Sequence, residues 1–116
     1  MKKKTGYIGE AVAKKFLLDK GYKILFQNYR TKFGEIDIVA TIDNIVAFIE
    51  VKTRKTIAYG MPREAINYKK QMNYRRLADH FILSNPSIHN KDFRFDVIEV
   101  IITNEKKQIK HIKNAF

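Results

Sequence analysis

Two carboxylates and a lysine draw attention by their spacing. Asp37 lies in Gly34-Glu35-Ile36-Asp37-Ile38-Val39-Ala40, and Glu50 and Lys52 lie in Phe48-Ile49-Glu50-Val51-Lys52-Thr53-Arg54. Both stretches read as strands, and Asp43-Asn44 between them is a turn pair that tolerates positive φ. If these two residues form the hairpin loop, Ile42 pairs with Ile45 and the pairing continues residue by residue. That register sets Asp37 opposite Glu50 and Glu35 opposite Lys52, all four on one face. Ile36, Ile38, Ile49 and Val51 then form the core face. Carboxylates directly opposed across neighbouring strands repel by about 0.2–1 kcal/mol, and burial near Val39 and Phe48 raises the cost. A hard divalent cation turns that cost into a binding site, because Mg²⁺ favours one or two carboxylates together with waters and phosphate oxygens. Lys52, one side-chain step beyond Glu50, could orient an attacking water or stabilise charge developing on a phosphate. The alternative is a solvated strand face on which Glu35 and Lys52 make a surface ion pair.

The elements that must position these groups follow from periodicity and punctuation. From Tyr7 to Lys20 apolar residues recur at helical spacing (Ile8, Ala11, Val12, Phe16), and Gly21 ends the run as a glycine just past a helix does. Tyr22–Thr31, Gly34–Ile42 and Ile45–Arg54 read as three strands. A loop with Gly60 follows, and Pro62 stands where a first helical residue should, predicting a helix to about Ser84 that Asn85-Pro86 breaks. Phe93–Thr103 and Gln108–Ile112 are the last strands. Short connections make the first three strands an antiparallel meander, and the long helix returns the chain to the same sheet as a crossover. The expected fold is therefore α/β, a mixed sheet flanked by helices, formed by residues 1–116 as a single domain.

Composition limits what such a fold would serve. The chain has 116 residues, 45% of them apolar, with eight Phe and six Tyr, enough to bury a core without staples. It has no cysteine, which removes disulfides, thiolate zinc sites and cysteine nucleophiles. Lys2-Lys3-Lys4 is followed by no apolar stretch of signal-peptide length, and no run approaches the roughly 18 apolar residues of a membrane span. A cytoplasmic protein with no membrane partner is expected. Lysine and arginine number 23 against 12 acidic residues, a net charge of +11, with a pI near 9.9. A pI above about 9 is the footprint of a nucleic-acid binder, although charge separates neither DNA from RNA nor binding from cutting.

Further residues have both a functional and a plainer role open to them. Lys70 lies within the inward stripe Ile66, Tyr74, Leu77, Ala78 and Phe81, so it either snorkels to the edge or reaches a charge on the sheet. Glu10 aligns with Ala13 and Leu17 rather than with the polar side of the first helix; its plainer role is an i,i+4 pair with Lys14. His80, His89 and His111 lack ligand-like spacing, and Asp96, between Phe95 and Val97, reads as a structural cap or ion pair. Arg54, Lys55, Arg63, Lys69, Arg75 and Arg76 are candidate phosphate contacts, and Tyr59 could stack on a base.

Taken together, Asp37 followed after a hairpin by Glu50-Val51-Lys52 resembles the PD-(D/E)xK superfamily of restriction-endonuclease-like nucleases. More closely, the chain resembles the YraN-like bacterial family of unassigned function, which is related to archaeal Holliday-junction resolvases. The likeness spans nearly the whole sequence: Gly9-Glu10, Asn28-Tyr29-Arg30, Gly34-Glu35-Ile36-Asp37, Glu50-Val51-Lys52-Thr53-Arg54 and Arg94-Phe95-Asp96-Val97. The superfamily's proline before the aspartate is Ile36 here. The resemblance implies a restriction-endonuclease-like fold, with Asp37 and Glu50 as ligands for Mg²⁺ or Mn²⁺, Lys52 as the catalytic lysine and Glu10 as an auxiliary acid. The function it implies is metal-dependent hydrolysis of nucleic-acid phosphodiesters, with DNA favoured over RNA and branched or structured DNA as a substrate class. Junction-cutting relatives act as dimers, which leaves a homodimer open. Two rivals stay in view: a non-cutting nucleic-acid-binding module of the same fold, and an RNA- or ribosome-associated interaction protein.

Overall fold

The computed structural model describes residues 4–55, 66–104 and 106–116. Helix α1 (Lys4–Asp19) leads into strands β1 (Lys23–Thr31), β2 (Gly34–Ile42) and β3 (Ile45–Arg54). Helix α2 (Tyr68–Ser84) and a 3₁₀ turn at Pro86–Ile88 connect to β4 (Asp92–Ile102) and β5 (Lys107–Ile112). One sheet contains all five strands in chain order. Its β1–β2, β2–β3 and β4–β5 pairs are antiparallel, and β3–β4 is parallel, as the crossover through α2 requires. The mixed α/β sheet expected from the sequence is present, and apart from the start of α2 the element ends fall within a few residues of those read from periodicity.

Local chemistry accounts for the boundaries. Gly21 adopts φ 94°, and the Tyr22 N–H reaches Leu17 O while the Gly21 N–H reaches Leu18 O, the paired bonds that close a helix on a left-handed glycine. Asp43 takes φ 50° in the hairpin, and Ile42 pairs with Ile45 as predicted. The start of α2 differs from expectation. Pro62 lies outside the described residues, and Ile66 and Asn67 are not helical; the helix begins at Tyr68. Asn67 caps it, its side chain accepting from the Lys70 N–H at 2.9 Å. Asparagine as N-cap supplies a partner for one of the unpaired amides of the first turn, which a proline start does not.

Both faces of the sheet are covered. Helix α1 packs Ala13 and Leu17 on Ile38, Ala40, Ala47, Ile49, Ile98 and Val100. Helix α2 packs Tyr74, Leu77, Ala78 and Phe81 on Ile36, Val39, Val46 and Phe48. Ile36 is therefore a correction: it was expected on the face of Ile38, Ile49 and Val51, and it lies on the α2 face instead. Strict alternation fails between Ile36 and Ile38, with Asp37 in the gap. On the β1 side the register also skips the pair that would match Asp37 with Asn28, and Asn28 takes φ 55°. Asparagine visits that left-handed region more readily than other side chains, so it can carry the kink. No helix among the described residues is long and apolar enough to cross a membrane.

Candidate active site

The predicted β2–β3 register holds from Ile42–Ile45 to Ile38–Ile49 and stops there. Asp37 and Glu50 are the next residues on each strand, so they sit where the ladder ends rather than within it. The Asp37 side chain takes over, its Oδ2 accepting the Val51 N–H at 2.8 Å. Both carboxylates are buried, each 7% exposed. Beyond them Glu35 does not oppose Lys52. It pairs across β1 instead, with Arg30 Nε 2.7 Å from its Oε2, because that side of β2 remains in register.

A close approach delivers the third carboxylate. Helix α1 lies so near β3 at Gly9 that a Cβ there would fall 1.8 Å from Thr53 Oγ1. Glycine lets the backbone settle, and the next residue, Glu10, reaches the sheet. One carboxylate oxygen from each of Glu10, Glu35 and Asp37 lies within 4.8 Å of the others. Lys14 extends to Gln27 Oε1 at 3.4 Å, so the side chain offered as Glu10's plainer partner is directed along β1.

Two cations accompany the carboxylates, Lys70 from α2 and Lys52 from β3. Lys70 Nζ is 2.8 Å from Glu50 Oε2, which decides between its two readings: it reaches a charge on the sheet. Lys52 is half-buried on the same side. Burial pushes its pKa down, and neighbouring Lys70 pushes the same way, while Glu50 and Asp37 offset this only in part. The Tyr74 hydroxyl lies in the same environment. Burial, then the charges of Glu50 and Asp37, hold its pKa well above 10, so it stays a neutral donor. Neither Glu35 nor Tyr74 carries a functional reading from sequence. Glu35 is two residues from Asp37 on one strand, a signal that was present. Tyr74 read as core by its helical spacing, and its polar tip had no separate signature.

The candidate phosphate contacts divide. Arg54 is tied to Glu99 at 2.5 Å, Glu99 buried and Arg54 partly so. Lys55 and Lys69 are exposed near the carboxylates' end of the sheet. Arg75 and Arg76 are exposed and lie 5.0 and 5.3 Å over the rings of Phe95 and Phe33. Tyr59 and Arg63 lie outside the described residues. The histidines are engaged in local contacts: His80 with the Tyr29 hydroxyl, His89 with Ile82 O, and His111 with Asp96. Asp96 is fully buried and accepts from Arg94, His111 and the Asn114 N–H, a structural hub as its position between apolar neighbours suggested.

A family model described as "Uncharacterised protein family UPF0102" matches residues 9–100 of this chain. The chain belongs to that family. Relatives described as UPF0102 proteins include one from Alkaliphilus oremlandii (strain OhILAs), 52% identical over the whole of both chains. Another, from Alkaliphilus metalliredigens (strain QYMF), is also 52% identical over the whole of both. The Clostridioides difficile (strain 630) protein is 46% identical over 98% of this chain and 97% of its own. The UPF0102 match runs from Gly9, where α1 meets Thr53, to Val100 in β4, and so takes in Glu10, Glu35, Asp37, Glu50, Lys52, Lys70 and Tyr74.

Proposed function

We propose that this UPF0102 protein is a metal-dependent phosphodiester hydrolase acting on nucleic acid, DNA in preference to RNA, with branched or structured DNA as its substrate. The observation that carries the reading is the convergence of Glu10, Glu35 and Asp37, with ligand oxygens within 4.8 Å, beside a Glu50 attended by Lys70. An all-oxygen, anionic donor set suits a hard cation such as Mg²⁺ or Mn²⁺. Glu10, Glu35 and Asp37 would hold it, with Glu50 adjoining. When bound, such an ion supplies Lewis acidity toward a phosphoryl oxygen and toward water.

The chain's own residues do the remaining work. The Val51 N–H fixes the Asp37 carboxylate. Lys70 holds Glu50 in place, leaving Glu50 to orient or accept a proton from a water. Lys52 is half-buried, where a hydrogen bond to a phosphate oxygen strengthens as negative charge builds in the transition state. The basic surface supports a polyanionic substrate, and the likeness to junction-cutting nucleases supports DNA.

The test is incubation with duplex, flap and four-way-junction DNAs and an RNA hairpin in Mn²⁺. Cleavage is expected with wild type, lost in EDTA and in Asp37→Ala. Lys52→Ala should lose cleavage while keeping binding, because its role lies in the transition state. Activity that survives EDTA or Lys52→Ala overturns the mechanism. Metal and DNA binding without any cleavage makes the non-cutting module the better account.

A further inference from the structure

Beside the β2–β3 hairpin, about 17 Å along β3 from Glu50 at strand rise, the sheet carries a second feature. A cavity of about 400 Å³ opens there, lined by Phe16, Lys20, Tyr22, Arg94, His111 and Lys113. Its size falls within the range of small-ligand pockets. The floor is rigid. Arg94, with its side chain 10% exposed, gives Nε to both oxygens of Asp96 at 2.9 and 3.1 Å. Its Nη2 donates to the Tyr22 hydroxyl at 2.7 Å and to Asp96 at 2.9 Å. Nη1 is the guanidinium nitrogen for which no acceptor is found among the described residues. Lys113 sits on the rim between two groups anchored to the same carboxylate: His111 Nε2 and the Asn114 N–H lie 2.7 and 3.1 Å from Asp96. Lys20 also lines the cavity, its ammonium 5.6 Å over the Phe16 ring. One carboxylate, Asp43, shares the lining with these cations. The walls are aromatic, with Phe16 and Tyr22 packed against His111 at ring separations of 6.0 and 6.1 Å.

A buried arginine with an open edge, two flanking lysines and flat aromatic walls are complementary to a ligand that is planar at one end and anionic at the other. We propose that this cavity binds a nucleoside monophosphate, the phosphate meeting Arg94, Lys20 and Lys113 and the base lying against Phe16 and Tyr22. The proposal does not depend on the hydrolytic reading, because the carboxylate cluster contributes none of these residues.

The test is calorimetric titration of the full chain, in EDTA, with AMP, GMP, adenosine and inorganic phosphate. The nucleotides are expected to bind at least tenfold more tightly than adenosine or phosphate alone. Lys20→Glu and Lys113→Glu, both surface changes, should each weaken AMP at least tenfold with unchanged melting. Arg94→Lys, which keeps the charge facing Asp96, should weaken it as much, and Asp37→Asn should leave it unaltered. Competition by a 5′-phosphorylated dinucleotide but not by its 5′-hydroxyl counterpart identifies the end of a strand as the source; its absence identifies the free nucleotide. No binding of either nucleotide, or binding that Lys20→Glu and Lys113→Glu leave intact, overturns the proposal.

Discussion

At the scale of single residues, Asp37 does two jobs that a substitution can separate. It accepts the Val51 N–H at 2.8 Å, and it crowds Glu10 and Glu35. Asparagine keeps an oxygen for the amide while removing the charge. Asp37→Asn should therefore melt with wild type in EDTA, or be more stable by up to about 1 kcal/mol. Wild type should gain stability from Mn²⁺, about 2.7 kcal/mol at a hundredfold excess over Kd, and the variant should lose most of that gain. Thermal melts with and without Mn²⁺ read both effects. A lower melt for the variant together with no metal shift in wild type makes Asp37 structural. Asp96 is the contrasting case. Burial alone would raise its pKa, yet hydrogen bonds from His111 and Arg94 outweigh burial and hold it below the ordinary 3.8. A depressed folded pKa adds stability that is present above the unfolded value and lost as pH falls through the folded one. Urea unfolding from neutral pH to about pH 2 should show that loss below about pH 4 in wild type, and Asp96→Asn should lack this component. At neutral pH the variant should be weaker by about 3–5 kcal/mol, since Arg94 is left without its counter-charge. Equal stability of the two proteins at neutral pH counts against the hub.

At the scale of elements, the centre depends on how closely α1 rides on β3. A methyl group at position 9 would land 1.8 Å from Thr53 Oγ1, so Gly9→Ala must lift the helix or turn Thr53. Overpacking of this kind costs about 1–3 kcal/mol. Adding Thr53→Ala removes the nearest atom but leaves Thr53's Cβ position at 3.0 Å, so the double variant should recover part of that stability, read by urea unfolding. Full additivity of the two changes would show that the contact is not shared. The same packing explains what the sequence could reveal. The three-strand meander and the Ile38–Ile49 register were legible because alternation and a two-residue turn are local signals, whereas the places of β4 beside β3 and of β5 beside β4 were not. The break at Asp37 was not, because it rests on a positive φ at Asn28 and on a side chain replacing a ladder bond. Extending the ladder past that break misplaced Ile36 and matched Glu35 with Lys52. The start of α2 was read from Pro62 alone, and the cap that Asn67 supplies before Tyr68 was missed. Lys70 was legible as an anomaly, a cation in an apolar stripe, and its partner became visible only once α2 was laid over Glu50.

At the scale of the molecule, the centre and its surroundings carry opposite charge. Glu10, Glu35, Asp37 and Glu50 stand against Arg30, Lys52 and Lys70, so the centre is slightly acidic within a chain of net charge +11. A polyanion should be drawn to the basic exterior and, without a cation, be held off the carboxylates. Binding should therefore follow counterion release, with affinity falling steeply between about 50 and 200 mM salt. The exposed Lys69 and Arg76 are tests of individual contacts. Replacing either with alanine should make the log–log slope shallower by about 0.9 if it meets a duplex phosphate, and leave it unchanged if it is only solvated. Arg54, committed to Glu99 at 2.5 Å, should change the slope less than Lys69 does. Fluorescence-anisotropy titrations of one labelled duplex at several salt concentrations read all of these slopes. Repeating them with Ca²⁺ in place of EDTA adds the second half of the argument. Neutralising the acidic centre should tighten wild-type binding, and Asp37→Asn should blunt that response. A flat salt dependence would remove the electrostatic basis for nucleic-acid binding. A steep one that ignores both the divalent ion and Asp37 would confine the polyanion to the exterior, away from the carboxylates.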